Sequence, residues 1–161
     1  MQEVTDDPRV ARVVETGAVK GVEVRPVRFE NETRTAADAA AAIGCDVAQI
    51  VKSLVFVADG TPVLFLVSGV NRLDPSLATR AAGATTLEKA DATTVKQATG
   101  FSIGATPPFG HASEMQVFID EDLLAFSEVW AAAGRVDSVF PISPTALARA
   151  TGAKSAPLKQ A

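Results

Sequence analysis

The chain has 161 residues, of which 47% are hydrophobic and 21% are charged, and its formal net charge is −4. This length and composition predict one domain over residues 1–161 with a packed core, and the acidic balance argues against a dedicated duplex-DNA binder. One cysteine and one histidine exclude an internal disulfide and a zinc site built from several such ligands, so we expect no metal and no cofactor. No signal peptide or membrane span is recognisable, which predicts a cytoplasmic protein with no membrane partner.

Helix start and stop signals mark a series of short helical segments. Each begins at a capping side chain or a proline, and most end at or before a glycine. The predicted helical segments are residues 6–17, 35–42, 47–51, 75–82, 91–100, 127–133 and 143–150. Residues 153–161 follow the last of them and are predicted to form a C-terminal tail.

The most apolar stretch, Ile50–Ser68, predicts a β-hairpin in the core. An Asp-Gly pair divides it into arms at 52–58 and 62–68, and Asp-Gly between β-branched arms is a strong hairpin signal. Helices interleave irregularly with the strands, which predicts an α/β fold with a mixed sheet rather than a parallel, doubly wound one. Further strands are predicted at residues 22–30, 117–120 and 138–142, with a short extended stretch at 86–90 and a polar loop at 30–34.

Lys52 places a charge at the entrance to the first arm of this apolar hairpin. A lysine in such a position either extends its ammonium group to the surface or points into a site. The chemistry of this residue alone leaves both interpretations open.

The segment Phe101–His111 is predicted to be a structured loop, because its glycines and its two consecutive prolines disfavour both helix and strand. Glycine leaves main-chain N–H groups approachable and proline fixes their direction. Residues 104–110 can therefore bind a carbonyl or phosphate oxygen through main-chain donors, the alternative being a plain rigid crossover. His111 closes this constrained loop, which would hold its ring in one place.

Residues 100–104 also match the G-x-S-x-G pattern of a hydrolase nucleophile elbow. That elbow needs a strand before the serine and a helix after it, whereas here a helix precedes Ser102 and a proline-containing loop follows it. The triad would also need an acid between Ser102 and His111 in chain order, and the sequence has none there. The stretch therefore argues against a serine hydrolase.

Several short motifs, taken in order, make the chain similar to the YbaK/EbsC family, also called the prolyl-tRNA synthetase-associated editing domain. The resemblance runs from about Thr33 to Gly152. The motifs that carry it are residues 33–40 before Gly44, Ile50–Phe56 with Lys52, Thr99–Phe101, Gly104 and Pro108 in a G-x-x-x-P arrangement, Phe109–His111, and Val117–Asp120.

This resemblance implies a compact mixed α/β fold with a barrel-like central sheet surrounded by short helices. It implies hydrolysis of mischarged aminoacyl-tRNA, with the tRNA acceptor end as partner and prolyl-tRNA synthetase as a candidate protein partner. It also implies catalytic roles for Lys52 and His111, the latter at a position that varies among relatives. The implied substrate-binding loop consists of Gly104, Ala105, Thr106, Pro107, Pro108, Phe109 and Gly110.

The chain has no tyrosine, whereas the branch of this family that acts on Cys-tRNA has a functional tyrosine in its N-terminal part. Alanine or another small amino acid is therefore at least as good a candidate substrate as cysteine. The expected mechanism is water attack on the ester, with main-chain N–H groups of residues 104–109 holding the oxyanion and Lys52 pairing with a phosphate or ribose oxygen. The alternative is a non-catalytic module that binds an aminoacyl-adenosine or a small metabolite, or that partners a synthetase.

Overall fold

The computed structural model describes residues 2–3, 7–30, 33 and 35–161, and its strands form two sheets. The strands are β1 (Gln2–Glu3), β2 (Val27–Arg28), β3 (Val51–Ala58), β4 (Thr61–Ser68), β5 (Leu87–Lys89), β6 (Gln116–Asp120), β7 (Val129–Ala132), β8 (Ser138–Ile142) and β9 (Lys154–Ala156). The helices are α1 (Pro8–Val19), α2 (Ala36–Ile43), α3 (Pro75–Ala82), α4 (Ala92–Thr99) and α5 (Pro144–Thr151), with 3-10 helices at Val47–Gln49 and Glu121–Ala125. Within these described residues, no helix has the length and apolar character that a bilayer span requires.

One sheet has the strand order β5-β3-β4-β6-β9 and the other has the order β1-β2-β8-β7. The first is mixed, because β3 pairs antiparallel with β4 and β5 while β6 pairs parallel with β4 and β9. This confirms the predicted mixed α/β fold. The expected barrel-like sheet is not confirmed, because the strands belong to two sheets that are not closed into a barrel. An isolated bridge between Ile50 and Trp130 links β7 to the start of β3.

The β3–β4 hairpin lies at the centre of the core, as the apolar stretch predicts. Its turn places Asp59 and Gly60 at φ values of 48° and 85°, a left-handed conformation that glycine and aspartate tolerate best. Asp59 also ties the turn to the segment before β5, because its carboxylate accepts main-chain hydrogen bonds from Thr85 and Thr86. Each arm is one residue longer than predicted, since pairing begins at Val51 and resumes immediately after the turn.

Strand β4 is buried on both faces, which explains why its sequence shows no polar alternation. Leu64 and Leu66 pack into the larger core cluster, while Phe65 and Val67 point to the opposite face and pack with α3 and the end of the chain. The hairpin therefore separates two apolar clusters and fixes where β3 lies between them.

Most predicted helices begin and end where their capping residues indicate. α2, for example, begins after Thr35, whose side chain accepts a main-chain hydrogen bond, and ends at Gly44 in a left-handed conformation. Helix α1 differs, because it continues past the expected stop at Gly17 to Val19. Gly17 is buried inside this helix, and a Cβ there would lie only 2.5 Å from a methyl carbon of Val24. This glycine is thus needed for close packing rather than for ending the helix.

The predicted helix at 127–133 is wrong, because residues Val129–Ala132 form strand β7 and pair antiparallel with β8. Alanines favour a helix in isolation, but sheet pairing and burial override that preference. Val129, Ala131 and Ala133 are fully buried, with a period of two that is typical of a strand.

The predicted strand at 22–30 is reduced to the two residues of β2. Pro26 cannot donate a ladder hydrogen bond, and residues 22–26 have no regular secondary structure, although Val24 packs into the core. Parts of two other predictions, Asp6 at the start of the first helix and Asn31, Glu32 and Arg34 in the polar loop, lie outside the described residues.

The predicted tail at 153–161 is also corrected, and β8 is not the last strand. Residues Lys154–Ala156 form β9 beside β6, and Leu158 is fully buried. The chain end then holds the segment between β4 and α3, because Gln160 donates its N–H to Arg72 and Leu158 accepts from Asp74. A single buried leucine in a polar stretch gives little sequence signal, so only the tertiary structure reveals this contact.

Asp7 joins the start of α1 to the turn between β7 and β8. Its carboxylate accepts hydrogen bonds from the Arg9 main chain and guanidinium, both at 2.8 Å, and from Arg135 at 3.0 Å. The side-chain hydrogen bond from Arg9, assisted by the Arg9 main chain and by the Arg135 charge, holds the pKa of Asp7 well below its usual value despite desolvation. The negative charge of Asp7 therefore stabilises this contact at neutral pH.

We expect Asp7→Asn to lower the free energy of unfolding by about 1 kcal/mol at neutral pH and to have little effect in acid. Asparagine retains the N-cap but lacks the charge. A carboxyl group whose folded pKa is depressed contributes stability that is complete above its unfolded pKa of about 4 and is lost as the pH falls towards the folded pKa. Urea unfolding at neutral and at acidic pH measures the difference in the free energy of unfolding between wild type and Asp7→Asn. Asp46→Asn, at another N-cap, is the control. If this difference does not become smaller in acid, the charge of Asp7 does not stabilise the contact with Arg9 and Arg135.

Candidate functional site

A cavity of about 450 Å³ lies at the edge of β3 that faces away from β4. On this side β3 pairs with β5 over Phe56–Ala58 and meets Trp130 of β7 through the bridge at Ile50. Between those two points β5 and β7 diverge, and the cavity occupies the gap. The edge of β3 at residues 52–54 is thus open to a ligand, which is an arrangement suited to main-chain recognition.

The cavity wall is mainly apolar and carries cationic groups. Apolar side chains from both sheets and from α2 line it, and Ile103 and Val136, which are 53% and 60% exposed, lie at its border. Lys52, Lys89 and Arg135 also line the cavity, and the described lining residues include no aspartate or glutamate. An apolar pocket with a few cations suits a small ligand that carries anionic or strongly polar groups.

Lys52 is half-buried, and its ammonium group donates to the main-chain carbonyl of Asn71. Burial lowers the pKa of Lys52, the nearby charge of Arg72 lowers it further, and Asp120 opposes the shift. The lysine therefore neither points freely to solvent nor pairs directly with a carboxylate among the ion pairs of the described residues. A partly desolvated ammonium group of this kind is available to a substrate anion or ester.

Asn71 is itself fixed by a buried carboxylate. Asp120, which is 1% exposed, accepts hydrogen bonds from the Asn71 side chain at 2.8 Å and from the buried N–H of Ser68 at 3.1 Å. Asp122 accepts a second hydrogen bond from Asn71 at 2.8 Å. The partner of Lys52 is thus held by strand β6 and the 3-10 helix that follows it.

Two residues of the predicted substrate-binding loop, Gly104 and Thr106, line the cavity. Gly104 has a φ of 85°, and the loop turns here because Ala105 donates its N–H to Ser102 at 3.0 Å. The Thr106 hydroxyl also donates to the Ser102 carbonyl, at 3.1 Å. This tight turn presents the loop backbone next to the open edge of β3.

The remaining loop residues, Ala105 and Pro107 to Gly110, are buried but are not part of the cavity lining. The Phe109 ring packs 5.8 Å from the ring of Phe140 in the larger core cluster. Arg12 of α1 donates to the carbonyl of Gly110. This half of the loop anchors the cavity-facing half to the core.

His111 lies with the anchoring half of the loop. Its Nε2 is 2.7 Å from the carbonyl oxygen of Pro107, and Arg12 donates to the main-chain carbonyl of His111 at 3.2 Å. Burial lowers the pKa of His111, although the Pro107 carbonyl opposes that shift. The structure thus brings Lys52, Gly104 and Thr106 to one cavity and places His111 outside its lining, so the catalytic role of His111 stays a prediction.

Sequence reasoning misses several cavity residues, notably Ser53, Lys89, Trp130 and Arg135. The sequence-based prediction places Trp130 on a helix, and the period-two apolar pattern around it is the signal that would have placed it on a strand. Nothing in the local sequence marks Ser53, Lys89 or Arg135, because these residues reach the cavity only through the arrangement of the two sheets.

Residues 30–150 match a family model described as "Aminoacyl-tRNA editing domain". The chain is 29% identical over 119 residues to the uncharacterised protein YwhH of Bacillus subtilis (strain 168), covering 74% of this chain and 76% of that protein. It is also 33% identical over 117 residues to the proline–tRNA ligase of Geobacter sp. (strain M21). That match covers 73% of this chain but 18% of the ligase, so the similarity concerns one part of a longer protein.

Among solved structures, the chain is similar to one described as a proposed trans-editing enzyme for prolyl-tRNA synthetase. The two share 44% sequence identity with a TM-score of 0.92, over 96% of this chain and 99% of that one. A second structure, of the hypothetical protein APE2540, is 29% identical with a TM-score of 0.85, over 92% of this chain and 99% of that one. Both comparisons cover more than nine-tenths of this chain.

Proposed function

The chain belongs to the aminoacyl-tRNA editing domain family, which confirms the resemblance seen in its sequence, and on that premise we propose that it deacylates mischarged tRNA. We propose a small amino acid on tRNA-Pro as the substrate, since the relatives include prolyl-tRNA ligases and a proposed trans-editing enzyme for prolyl-tRNA synthetase. The observation that carries this proposal is the cavity at the open edge of β3. It is lined by Lys52 and by the cavity-facing residues of the 104–110 loop.

The loop supplies the groups that hold the ester carbonyl. Pro107 and Pro108 have no N–H, and the N–H of Ala105 is donated to Ser102. Gly104 and Thr106 are the loop residues that line the cavity, and none of the hydrogen bonds found among the described residues uses their N–H groups. We assign these two N–H groups to the carbonyl oxygen of the aminoacyl ester, where they stabilise the negative charge that develops on attack.

Lys52 interacts with the RNA end. Its ammonium group exchanges the Asn71 carbonyl for a phosphate or ribose oxygen of the terminal adenosine, which fixes the ester beside the loop. Lys89 adds positive charge at the cavity and favours approach of the polyanionic acceptor end to an otherwise acidic protein, whereas the charge of Arg135 is balanced by Asp7 and Asp137.

Water is the nucleophile in this proposal. Its oxygen attacks the carbonyl carbon, the bond to the ribose oxygen breaks, and that oxygen leaves with a proton, giving the free amino acid and intact tRNA. The free hydroxyl of the same ribose is close enough to the ester in any aminoacyl-tRNA to orient the water. His111 lies outside the cavity lining and contacts the loop through the Pro107 carbonyl, and its predicted catalytic role is not needed for this step.

Size selection follows from the cavity walls. A volume of about 450 Å³ must accommodate part of the terminal adenosine as well as the amino acid, so bulky side chains are excluded by contact with apolar residues such as Trp130. Two amino acids that differ by one methylene group are distinguished less strongly, by roughly 10- to 200-fold in kcat/KM.

The proposal is tested by deacylation of Ala-, Cys-, Ser- and Pro-tRNA-Pro by the wild-type protein. We expect the tRNA that carries alanine or another non-cognate small residue to lose its amino acid well above the spontaneous rate, and Pro-tRNA-Pro to be spared. Repeating the assay with the same amino acids on a tRNA of different acceptor sequence tests the tRNA preference. No enzymatic hydrolysis of any of these esters would refute the proposal.

Trp130 provides a direct binding signal that separates catalysis from binding alone. It is the only tryptophan, the chain has no tyrosine, and its side chain lines the cavity. We expect a stable 3′-alanylamino-adenosine to change the intrinsic fluorescence with saturation, and Trp130→Phe to abolish the signal. A saturable signal without turnover of any ester would favour the binding-module alternative, and no signal would place the ligand elsewhere.

A further inference from the structure

Ser53 lies at the cavity, where its main chain is at an unpaired edge of β3 and its hydroxyl makes no hydrogen bond to the described residues. It lies in β3 opposite Leu66 of β4, next to Lys52, and it lines the cavity. Among the described residues its Oγ is buried and has no hydrogen-bond partner. A buried hydroxyl without a partner is uncommon in a folded protein and calls for a functional explanation.

The main-chain N–H and C=O groups of Ser53 point towards the edge of β3 that borders the cavity. The carbonyl of Val55 points towards β5, where it accepts from Ala90 at 3.2 Å. Because N–H and C=O groups of residues two apart in a strand point to the same side, those of Ser53 also point towards that edge. β5 ends its pairing at Phe56, so the Ser53 carbonyl faces the gap between the two sheets.

This arrangement suits a ligand group that donates several hydrogen bonds. Among the described lining residues none is an aspartate or glutamate, so the acceptors that they offer to a bound amino group are neutral oxygens. The Ser53 carbonyl and hydroxyl provide two such acceptors within one residue, and the hydroxyl reaches the cavity by rotation about its Cα–Cβ bond. An α-amino group donates hydrogen bonds whether or not it is protonated, so the neighbouring cations do not exclude it.

We propose that Ser53 is the amino-group subsite of the cavity, where its carbonyl and hydroxyl oxygens accept hydrogen bonds from the α-amino group of the aminoacyl ester. This assignment rests on the proposed deacylase function. Lys52 and Ser53 are consecutive in the strand, so their side chains leave it on opposite faces. They therefore hold the two ends of the substrate, the RNA end at Lys52 and the free amino end at Ser53.

The test compares Ser53→Ala with wild type on alanyl-tRNA and on propionyl-tRNA, which differs only in having hydrogen in place of the amino group. We expect Ser53→Ala to lower kcat/KM about tenfold on alanyl-tRNA and less than twofold on propionyl-tRNA, the difference expected for one hydrogen bond to the missing group. Ser113→Ala, an exposed serine outside the cavity lining, is the matched control and is expected to behave like wild type.

Thermal unfolding gives a second readout. Because the hydroxyl has no partner in the free protein, its removal is expected to leave the Tm unchanged or higher. Equal losses on both esters, no loss on either, or a lowered Tm would overturn the assignment of Ser53. Wild-type inactivity on alanyl-tRNA would instead refute the proposed activity on that ester, so the two failures are distinguishable.

Discussion

Lys52→Ala is expected to lower kcat/KM for deacylation roughly 100-fold while leaving the fold intact. The ammonium group is half-buried beside the cavity and is held by the Asn71 carbonyl rather than by a carboxylate. A hydrogen bond to a charged group contributes about 1.5–3 kcal/mol, which corresponds to roughly a 10- to 150-fold change in rate. Single-turnover deacylation of the best substrate in the tRNA panel measures this loss.

Removing the charge of Lys52 is expected to lower activity but not to lower the free energy of unfolding. Burial lowers the pKa of Lys52, with Arg72 adding to the shift, so the charged form of this side chain is less favourable in the folded protein than in the unfolded chain. Lys52→Met keeps much of the aliphatic stem and removes the charge, and we expect its free energy of unfolding to equal or exceed that of wild type. A residue that decreases stability while supporting activity is typical of a functional site.

Two lysine variants serve as controls for this prediction. Lys154→Ala removes an exposed lysine on β9 and is expected to retain wild-type activity. Lys52→Arg keeps the charge but replaces a compact ammonium by a planar, longer group, so only partial activity is expected. Full activity of Lys52→Ala would show that Lys52 is structural.

Asp120→Ala is expected to lower both stability and activity. Its carboxylate holds the fully buried N–H of Ser68 and the side chain of Asn71, and both donors would be left without this acceptor. We expect the free energy of unfolding to fall by about 2–4 kcal/mol, which corresponds to a Tm lower by roughly 5–15 °C. The Asn71 carbonyl that positions Lys52 would shift as well, and we expect about a tenfold loss in deacylation at a temperature where the variant is folded.

Asp120→Asn and Glu121→Ala separate the causes of this effect. Asparagine retains one oxygen acceptor in the same shape, so a smaller loss of stability is expected from it. Glu121 is the exposed neighbour in sequence, and its removal is expected to change neither property. A destabilised Asp120→Ala with unchanged activity would show that Asn71 does not position Lys52.

The loop of residues 104–110 follows its sequence in local shape but depends on distant residues for its role. Its glycine and prolines predict a rigid loop with accessible main-chain donors, and the structure shows a tight turn at Gly104. Which loop residues line the cavity and which pack against the core could not be predicted, because this depends on α1 and on Phe140, which are distant in sequence. Only Gly104 and Thr106 face the cavity, while the second half of the loop, including Phe109, serves as an anchor.

The sequence by itself determined most of the local elements and indicated the family. Capping side chains such as Thr35, glycines such as Gly44 and the Asp-Gly turn specify helix ends and the hairpin through contacts within a few residues, and such contacts can be recognised without a partner. The tertiary structure decided everything that depends on distant pairing. It made residues Val129–Ala132 a strand, brought Leu158 back into the core, and opened the edge of β3. The cavity exists because two sheets diverge beside that edge, and no local pattern of residues records where two sheets separate.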